Sequence, residues 1–265
     1  MTKRVLVLGG TGEARALAAR LAGRPGVEVV SSLAGRTSDP VLPPGRTRVG
    51  GFGGPAGLAA WLAAERIGAV VDATHPFATA MTGAAVAATG RLGVPLLVLR
   101  RPGWTAGPGD DWRRVPSLAA AAANLPGQRV LLTVGGGGAR AFAADQDRWF
   151  LIRSVEVPDP PLPPRARVVT ARGPFEVADE LALMRGHGID VLVTRDSGGE
   201  LTSAKLAAAR QLGLPVVMVD RPPAPRAPTV ATTGEAITWL AQCWPEWAGP
   251  ARADDGERET GSWNR

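Results

Sequence analysis

The sequence predicts an α/β protein built on doubly wound, mainly parallel sheet. Three observations carry that prediction. Short segments with apolar centres recur along the chain, such as Val5–Leu8, Ala69–Asp72 and Asp190–Thr194, and such segments read as strands buried on both faces. Stretches rich in Ala and Leu at helical spacing alternate with them, which is the pattern of repeated β-α units. Glycine turns follow three of the strands, at Gly9–Gly12, Gly135–Gly138 and Gly198–Gly199, and ligands of open α/β sheets bind at such strand ends.

The opening segment KRVLVLGGTGEARAL, Lys3–Leu17, organises the rest. A strand, a tight glycine turn and a helix carrying Ala14, Leu17, Ala18 and Leu21 on one face form a phosphate site. The glycines let the backbone approach an anion, and free amides at the helix start point at it. Arg15 occupies the place where a G-x-G-x-x-G pattern wants a small residue, so the match is incomplete. The alternative is a plain glycine turn in a nucleotide-free protein.

Val27–Ser31 is the second strand, and it runs into SSLAGRT, Ser31–Thr37. In a dinucleotide fold the end of this strand meets the adenosine ribose: an acid there binds the 2′-hydroxyl of NAD, and an Arg accommodates the 2′-phosphate of NADP. Glu28 lies too early, and the strand end offers Ser31, Ser32 and Arg36. The reading is NADP over NAD. A Pro/Gly loop, a short strand over 46–50 and a helix over 55–66 follow. Strand 69–72 closes in DATHPFA, Asp72–Ala78, with Pro76 expected in the first turn of an Ala-rich helix to about Leu92. The next strand is 94–99. His75 sits at a strand end, either as a hydrogen-bonded structural residue or as a contact to cofactor or substrate.

Composition narrows the classes. The 265 residues can hold one large or two ordinary α/β domains. A single cysteine, Cys243, and two distant histidines, His75 and His187, argue against a disulfide framework and against a metal site. The net charge is +6, yet only Lys3 and Lys205 of the 30 basic residues are lysines, and the arginines are scattered. That dispersal argues against nucleic acid and suits a ligand bearing carboxylates or phosphates. No charged-then-apolar leader opens the chain and no apolar run reaches membrane-span length, so a cytoplasmic protein is expected. The absence of Tyr excludes a Tyr-x-x-x-Lys short-chain dehydrogenase. The missing acid at the second strand end argues against a methyltransferase using S-adenosylmethionine.

Residues 101–116, beginning RPGW, read as a linker or hinge. Beyond it come a helix over 117–125, a strand over 129–134, the second glycine turn with a helix through Ala144, and strands over 149–157 and 167–170. The turn either receives an anion or only reverses the chain. A helix over 175–186 and strand 190–194 lead to RDSGGELTSAK, Arg195–Lys205, with Lys205 about one turn into a helix over 202–212. A cation there is placed to reach a bound anion. Strand 215–219, closing in DRP, and a helix over 233–243 complete the pattern, and residues 248–265 read as a disordered tail.

VLVLGGTGEAR, SSLAGRT, DATHPFA, RPGW, RDSGGELTSAKLAAA and VVMVDRP, in that order, resemble the precorrin-6A reductase family of cobalamin biosynthesis, from the N-terminus to about Trp244. The resemblance implies two Rossmann-like domains, 1–100 and 117–247, with NADPH in the cleft between them. It implies hydride transfer to one double bond of precorrin-6A, giving precorrin-6B; the cobalt-loaded macrocycle and a non-catalytic NADPH-binding regulator are the alternatives. Under it Gly9, Gly10, Thr11, Gly12 and Glu13 hold the pyrophosphate, and Ser32, Leu33, Ala34, Gly35, Arg36 and Thr37 surround the 2′-phosphate. Thr74, His75 and Pro76 line the nicotinamide, faced by Arg195, Ser197, Gly198, Gly199 and Lys205. Arg195 departs from the Lys frequent at this place in the family. His75 and Lys205 are the candidate catalytic groups, with water or His75 as proton donor. The partner is one polycarboxylate small molecule, with neither nucleic acid nor membrane, and a monomer is the default.

Overall fold

The computed structural model describes residues 2–35 and 42–244. These residues form two six-stranded sheets, parallel throughout. The first is assembled from β1 (Lys3–Leu8), β2 (Val27–Leu33), β3 (Arg46–Val49), β4 (Ala69–Asp72) and β5 (Leu96–Leu99), wrapped by α1 (Gly12–Ala22), α2 (Gly54–Ala64) and α3 (Thr79–Leu92). The chain then crosses over. Strands β6 (Trp112–Val115), β7 (Arg129–Thr133), β8 (Trp149–Ser154), β9 (Ala166–Thr170), β10 (Val191–Arg195) and β11 (Val216–Val219) form the second sheet. Its helices are α4 (Leu118–Ala123), α5 (Gly136–Ala139), α6 (Val177–Gly186) and α7 (Ala204–Gln211). Finally β12 (Thr229–Val230) and α8 (Thr233–Cys243) return to the first half.

The strand orders are β12-β5-β4-β1-β2-β3 and β6-β11-β10-β7-β8-β9. Each order reverses direction once, between β1 and β4 in one sheet and between β7 and β10 in the other. Both switch points open at the carboxyl ends of the strands, where ligands of this architecture bind.

Alternation within buried strands explains why each sheet needs helices on both faces. In β1, Val5 and Val7 pack under α1 and α8 with Leu17, Leu21 and Leu240. Leu6 and Leu8 face the other way, onto Leu58, Leu62 and Ala85 of α2 and α3. Residues 5–8 are at most 1% exposed, and a fully buried side chain of this size contributes about 1.5–3 kcal/mol. The second sheet repeats the arrangement, with Val130, Leu132 and Phe150 on one face and Leu131, Leu151 and Met184 on the other.

Two features depart from the sequence reading. Segment 101–116 is not wholly a linker: Trp112–Val115 is β6, paired with β11 at the edge of the second sheet. Four residues with two arginines, flanked by Gly, Pro and Asp, carry too little apolar signal to show as a strand. The second departure concerns 229–243, expected within a domain spanning 117–247. β12 pairs with β5, and α8 packs against α1 in the first half. A two-residue strand has no periodicity to read. Two crossings therefore join the halves, one after β5 and one after β11, and Arg100 Nη2 ties them by donating to the Pro222 carbonyl at 2.8 Å.

Smaller differences lie at element ends. The helix expected from Pro76 begins at Thr79, because the segment Thr74–Ala78 is held by side-chain bonds described below. Strand β8 ends at Ser154 rather than Val157. The helix expected through Ala144 is four residues of α5 and a 3₁₀ turn, Arg140–Phe142. Arg36, Thr37 and the tail 248–265 lie outside the described residues.

Candidate active site

The glycine turn after β1 is tight and opens at the start of α1. Gly10 has φ +108°, a conformation open to glycine and costly for residues with a Cβ. A Cβ on Gly9 would press against the Leu33 side chain and the Ser32 carbonyl at 3.3–3.4 Å, so the turn runs tightly beside the end of β2. Thr11 caps α1: its Oγ1 accepts from the Ala14 amide at 3.1 Å and donates to the Ala73 carbonyl at 2.8 Å. The amides of Gly10, Gly12 and Glu13 donate to no acceptor among the described residues. Unpaired amides at a helix start, with the helix dipole behind them, fit a phosphate.

Asp72 fixes the neighbouring loop. One carboxylate oxygen accepts from the Thr74 amide at 3.0 Å and the Thr74 hydroxyl at 2.7 Å, and the other accepts from Thr82 at 2.6 Å. The Phe77 amide donates to His75 Nδ1 at 3.3 Å, which leaves the proton of the neutral imidazole on Nε2. Phe77 itself packs into the core of the second half, so the DATHPFA loop is an anchor between the halves. Next to it a cavity of about 370 Å³ is lined by Asp72, Thr74, His75, Pro76, Arg100 and Arg226 among others. That volume suits a ring-sized group rather than a whole macrocycle.

From the other side come Arg195–Gly199. The Arg195 guanidinium lies 5.1 Å from the Phe77 ring centre and stands over Gly135, where an added Cβ would meet its Nη2 at 2.8 Å. Asp196, 4% exposed, is the knot of this loop. Its carboxylate accepts from the Trp104 amide at 3.0 Å and from Arg114 at 2.9 Å. Arg221 donates to the Asp196, Arg101 and Pro102 carbonyls at 2.6–2.9 Å. Trp104 Nε1 donates to the Gly199 carbonyl at 3.0 Å. The RPGW, RDSGG and DRP segments are thus one hydrogen-bonded unit. Arg101 carries it across the cleft, from the Ser197 carbonyl at 2.8 Å to the Glu13 carboxylate at 2.5 Å, and the Leu201 side chain covers Gly12.

The electrostatics follow from this packing. Burial first, and then the positive charges of Arg195, Arg101, Arg221 and Lys205, push the His75 pKa down to about 3. His75 is therefore neutral at physiological pH and offers an N–H donor, not a ready proton. Lys205 does not reach into the cleft as expected. It is 3% exposed, donates to the Thr202 carbonyl at 2.6 Å and lies 4.7 Å from the Trp104 ring centre. Burial, and secondarily Arg153, lower its pKa to about 7. Behind it Arg153 and Glu180 pair at 2.7 Å, both buried.

The structure brings together the glycine turn, Thr74, His75, Pro76, Arg195, Ser197, Gly198 and Gly199, and places Lys205 behind them. Ser32 lies at the carboxyl end of β2 beside Gly9, whose amide donates to its carbonyl at 2.9 Å. The Gly135 turn is closely packed: a Cβ on Gly136 would meet Pro158 at 3.3 Å and one on Gly138 would meet Val134 at 2.9 Å. Sequence reasoning missed Arg101, Asp196, Arg221 and Arg48. The first three stand in or beside RPGW, RDSGG and DRP, so the signal was their shared Pro/Gly-punctuated strand ends. Arg48 sits in a strand with no motif. Among the described residues, no group of three or more His, Cys, Asp or Glu is placed to hold a metal ion, and no helix is long and apolar enough to cross a membrane.

Two parallel doubly wound sheets, one bearing a glycine turn with open helix-start amides and the other a group of arginines at its strand ends, define an α/β protein of the doubly wound class. The model of the precorrin-6x reductase CbiJ/CobK family matches residues 4–241, and the chain belongs to that family of oxidoreductases. It is 57% identical over 240 residues to the precorrin-6A reductase of Rhodococcus erythropolis, covering 89% of this chain and 97% of the relative. The solved structure of a CobK precorrin-6A reductase superposes with a TM-score of 0.86 at 48% identity, covering 92% of this chain and 98% of that one. A cobalt-precorrin-6A reductase of Methanothermobacter thermautotrophicus is 30% identical over 249 residues, covering 88% and 79%.

Proposed function

We propose that this enzyme reduces one double bond of precorrin-6A with NADPH, giving precorrin-6B, in the cleft between the two sheets. The observation that carries the reading is the cationic surround of His75: Arg195, Arg101, Arg221 and Lys205 all act on it, opposite a glycine turn fit for a pyrophosphate. A macrocycle fringed with acetate and propionate groups brings carboxylates that suit this arginine-rich surround. NADPH, when bound, supplies the hydride; the protein supplies orientation and electrostatics.

The residues divide the work. The amides of Gly10, Gly12 and Glu13 receive the pyrophosphate. Thr74 and His75, held by Asp72 and the Phe77 amide, form the wall against which the reacting rings lie. Arg195 and the Ser197–Gly199 loop present cations and backbone to the substrate carboxylates. His75 donates a hydrogen bond through Nε2. The carbon next to the one receiving hydride takes its proton from water, because neutral His75 is a poor acid and Lys205 is covered.

The metal-free macrocycle is favoured over the cobalt-loaded one. The metal-free relative is 57% identical and the cobalt relative 30%. Turnover of metal-free and cobalt-loaded precorrin-6A, each with NADPH and with NADH, tests the reading. Faster turnover of the metal-free compound with NADPH is expected. A preference for the cobalt compound overturns the substrate, and equal use of NADH overturns the coenzyme.

A further inference from the structure

We propose that Arg48, on the edge strand β3, is the residue that selects the 2′-phosphorylated coenzyme. The inference rests on the NADPH reading and deepens it. Arg48 stands beside Ser32 in the register of β2 and β3, at the carboxyl ends of both strands. The Ser32 carbonyl accepts from the Gly9 amide at 2.9 Å. Pyrophosphate cradle, end of β2 and Arg48 thus lie in sequence along one rim, and in this architecture the adenosine ribose lies at the end of the second strand.

The guanidinium is fixed in place. Nη1 donates to Ser32 Oγ at 2.9 Å and to the Gly50 carbonyl at 2.8 Å, and Nη2 donates to the Gly51 carbonyl at 3.1 Å. Its Cζ lies 3.8 Å from the Phe52 ring centre and 5.5 Å from that of Trp61. Two of its five N–H donors stay unused, Nε–H and one on Nη2. All three acceptors are neutral, and no carboxylate pairs with it among the described residues. An arginine that is part-buried, set against aromatic rings and held by three hydrogen bonds, yet has no carboxylate partner among the described residues, is prepared for an anion from outside. A dianionic 2′-phosphate at this rim supplies it, and an unphosphorylated ribose does not.

The test uses fragments, so that neither substrate nor turnover is needed. Binding of 2′,5′-ADP and of 5′-ADP to the full chain is measured by calorimetry, for wild type, Arg48→Gln and Arg48→Lys. Wild type is expected to prefer 2′,5′-ADP, and Arg48→Gln to lose about 10- to 100-fold in affinity for it with 5′-ADP unchanged. Arg48→Lys, which keeps the charge without the fork, is expected to lie between. Equal loss for both fragments makes Arg48 a mere tie for the 50–51 turn and overturns the proposal. Undiminished selectivity in Arg48→Gln also overturns it, leaving the NADPH reading intact. If Arg48→Gln does not fold, undiminished selectivity in Arg48→Lys overturns it. Absence of selectivity in wild type overturns the coenzyme reading itself.

Discussion

Arg101 Nη1 lies 2.5 Å from Glu13 Oε2 while its Nε donates to the Ser197 carbonyl at 2.8 Å. One guanidinium therefore joins the start of α1 in the first half to the RDSGG loop of the second. Both partners are largely buried, with side-chain exposures of 16% and 28%, so the pair is screened less than a surface ion pair. A double-mutant cycle of Arg101→Ala and Glu13→Ala, read by urea unfolding, is expected to give a coupling of about 1–2 kcal/mol. Additive single effects would show that the bridge does not hold the cleft.

Gly198 has φ +64°, and a Cβ there would run into the Pro102 carbonyl and the Arg221 guanidinium. Gly198→Ala combines backbone strain with a clash against backbone, and a loss of at least about 2 kcal/mol is expected together with reduced turnover. Gly90, inside α3 with nothing near its Cβ position, is the control: Gly90→Ala is expected to stabilise by about 0.5–1 kcal/mol. Thermal unfolding of the two variants checks the contrast.

Arg153 and Glu180 form a buried pair at 2.7 Å, and Glu180 Oε2 has no hydrogen-bond partner. Glu180→Gln leaves the Arg153 charge buried with Lys205 close behind, and is expected to cost about 3–5 kcal/mol. Replacing both members by Met and Leu is expected to cost much less. Chemical unfolding of the single and double variants decides; similar losses would show that the charge is not what matters.

The depressed pKa of His75 sets an acid limit. In the folded protein it titrates near 3 and in the unfolded chain near 6.5, so between those values the unfolded state binds more protons. Its contribution to stability is fully present above pH 6.5 and is lost as pH falls toward 3, with a slope approaching about 1.4 kcal/mol per pH unit. His75→Asn is expected to flatten that part of the stability–pH profile. An unchanged slope would place His75 in a more solvated setting than the fold gives it.

The doubly wound core was legible because β1, β4, β7, β10 and β11 each hold three or four consecutive apolar residues. The glycine turn, Thr74, His75 and the 197–199 loop were legible because they stand at the ends of those strands. Trp112–Val115 and Thr229–Val230 were not: an edge strand with two arginines and a two-residue strand gain their structure from the neighbour they pair with. Arg101, Asp196 and Arg221 escaped for a related reason. Their importance lies in contacts between segments about 25 to 120 residues apart, which no local pattern encodes. Lys205 was placed on the right helix, but burial under Trp104 and Thr202 is a tertiary fact.

The central claim is that hydride passes from NADPH to the tetrapyrrole in this cleft. NADPH deuterated at the transferable position, prepared separately for each face of the nicotinamide, is incubated with the enzyme and precorrin-6A, and the macrocycle is analysed by mass spectrometry and NMR. The account predicts a single deuterium on one former double-bond carbon from one labelled face, and solvent hydrogen on its neighbour. A reduced macrocycle without label from either face, or an unreduced one, would contradict it.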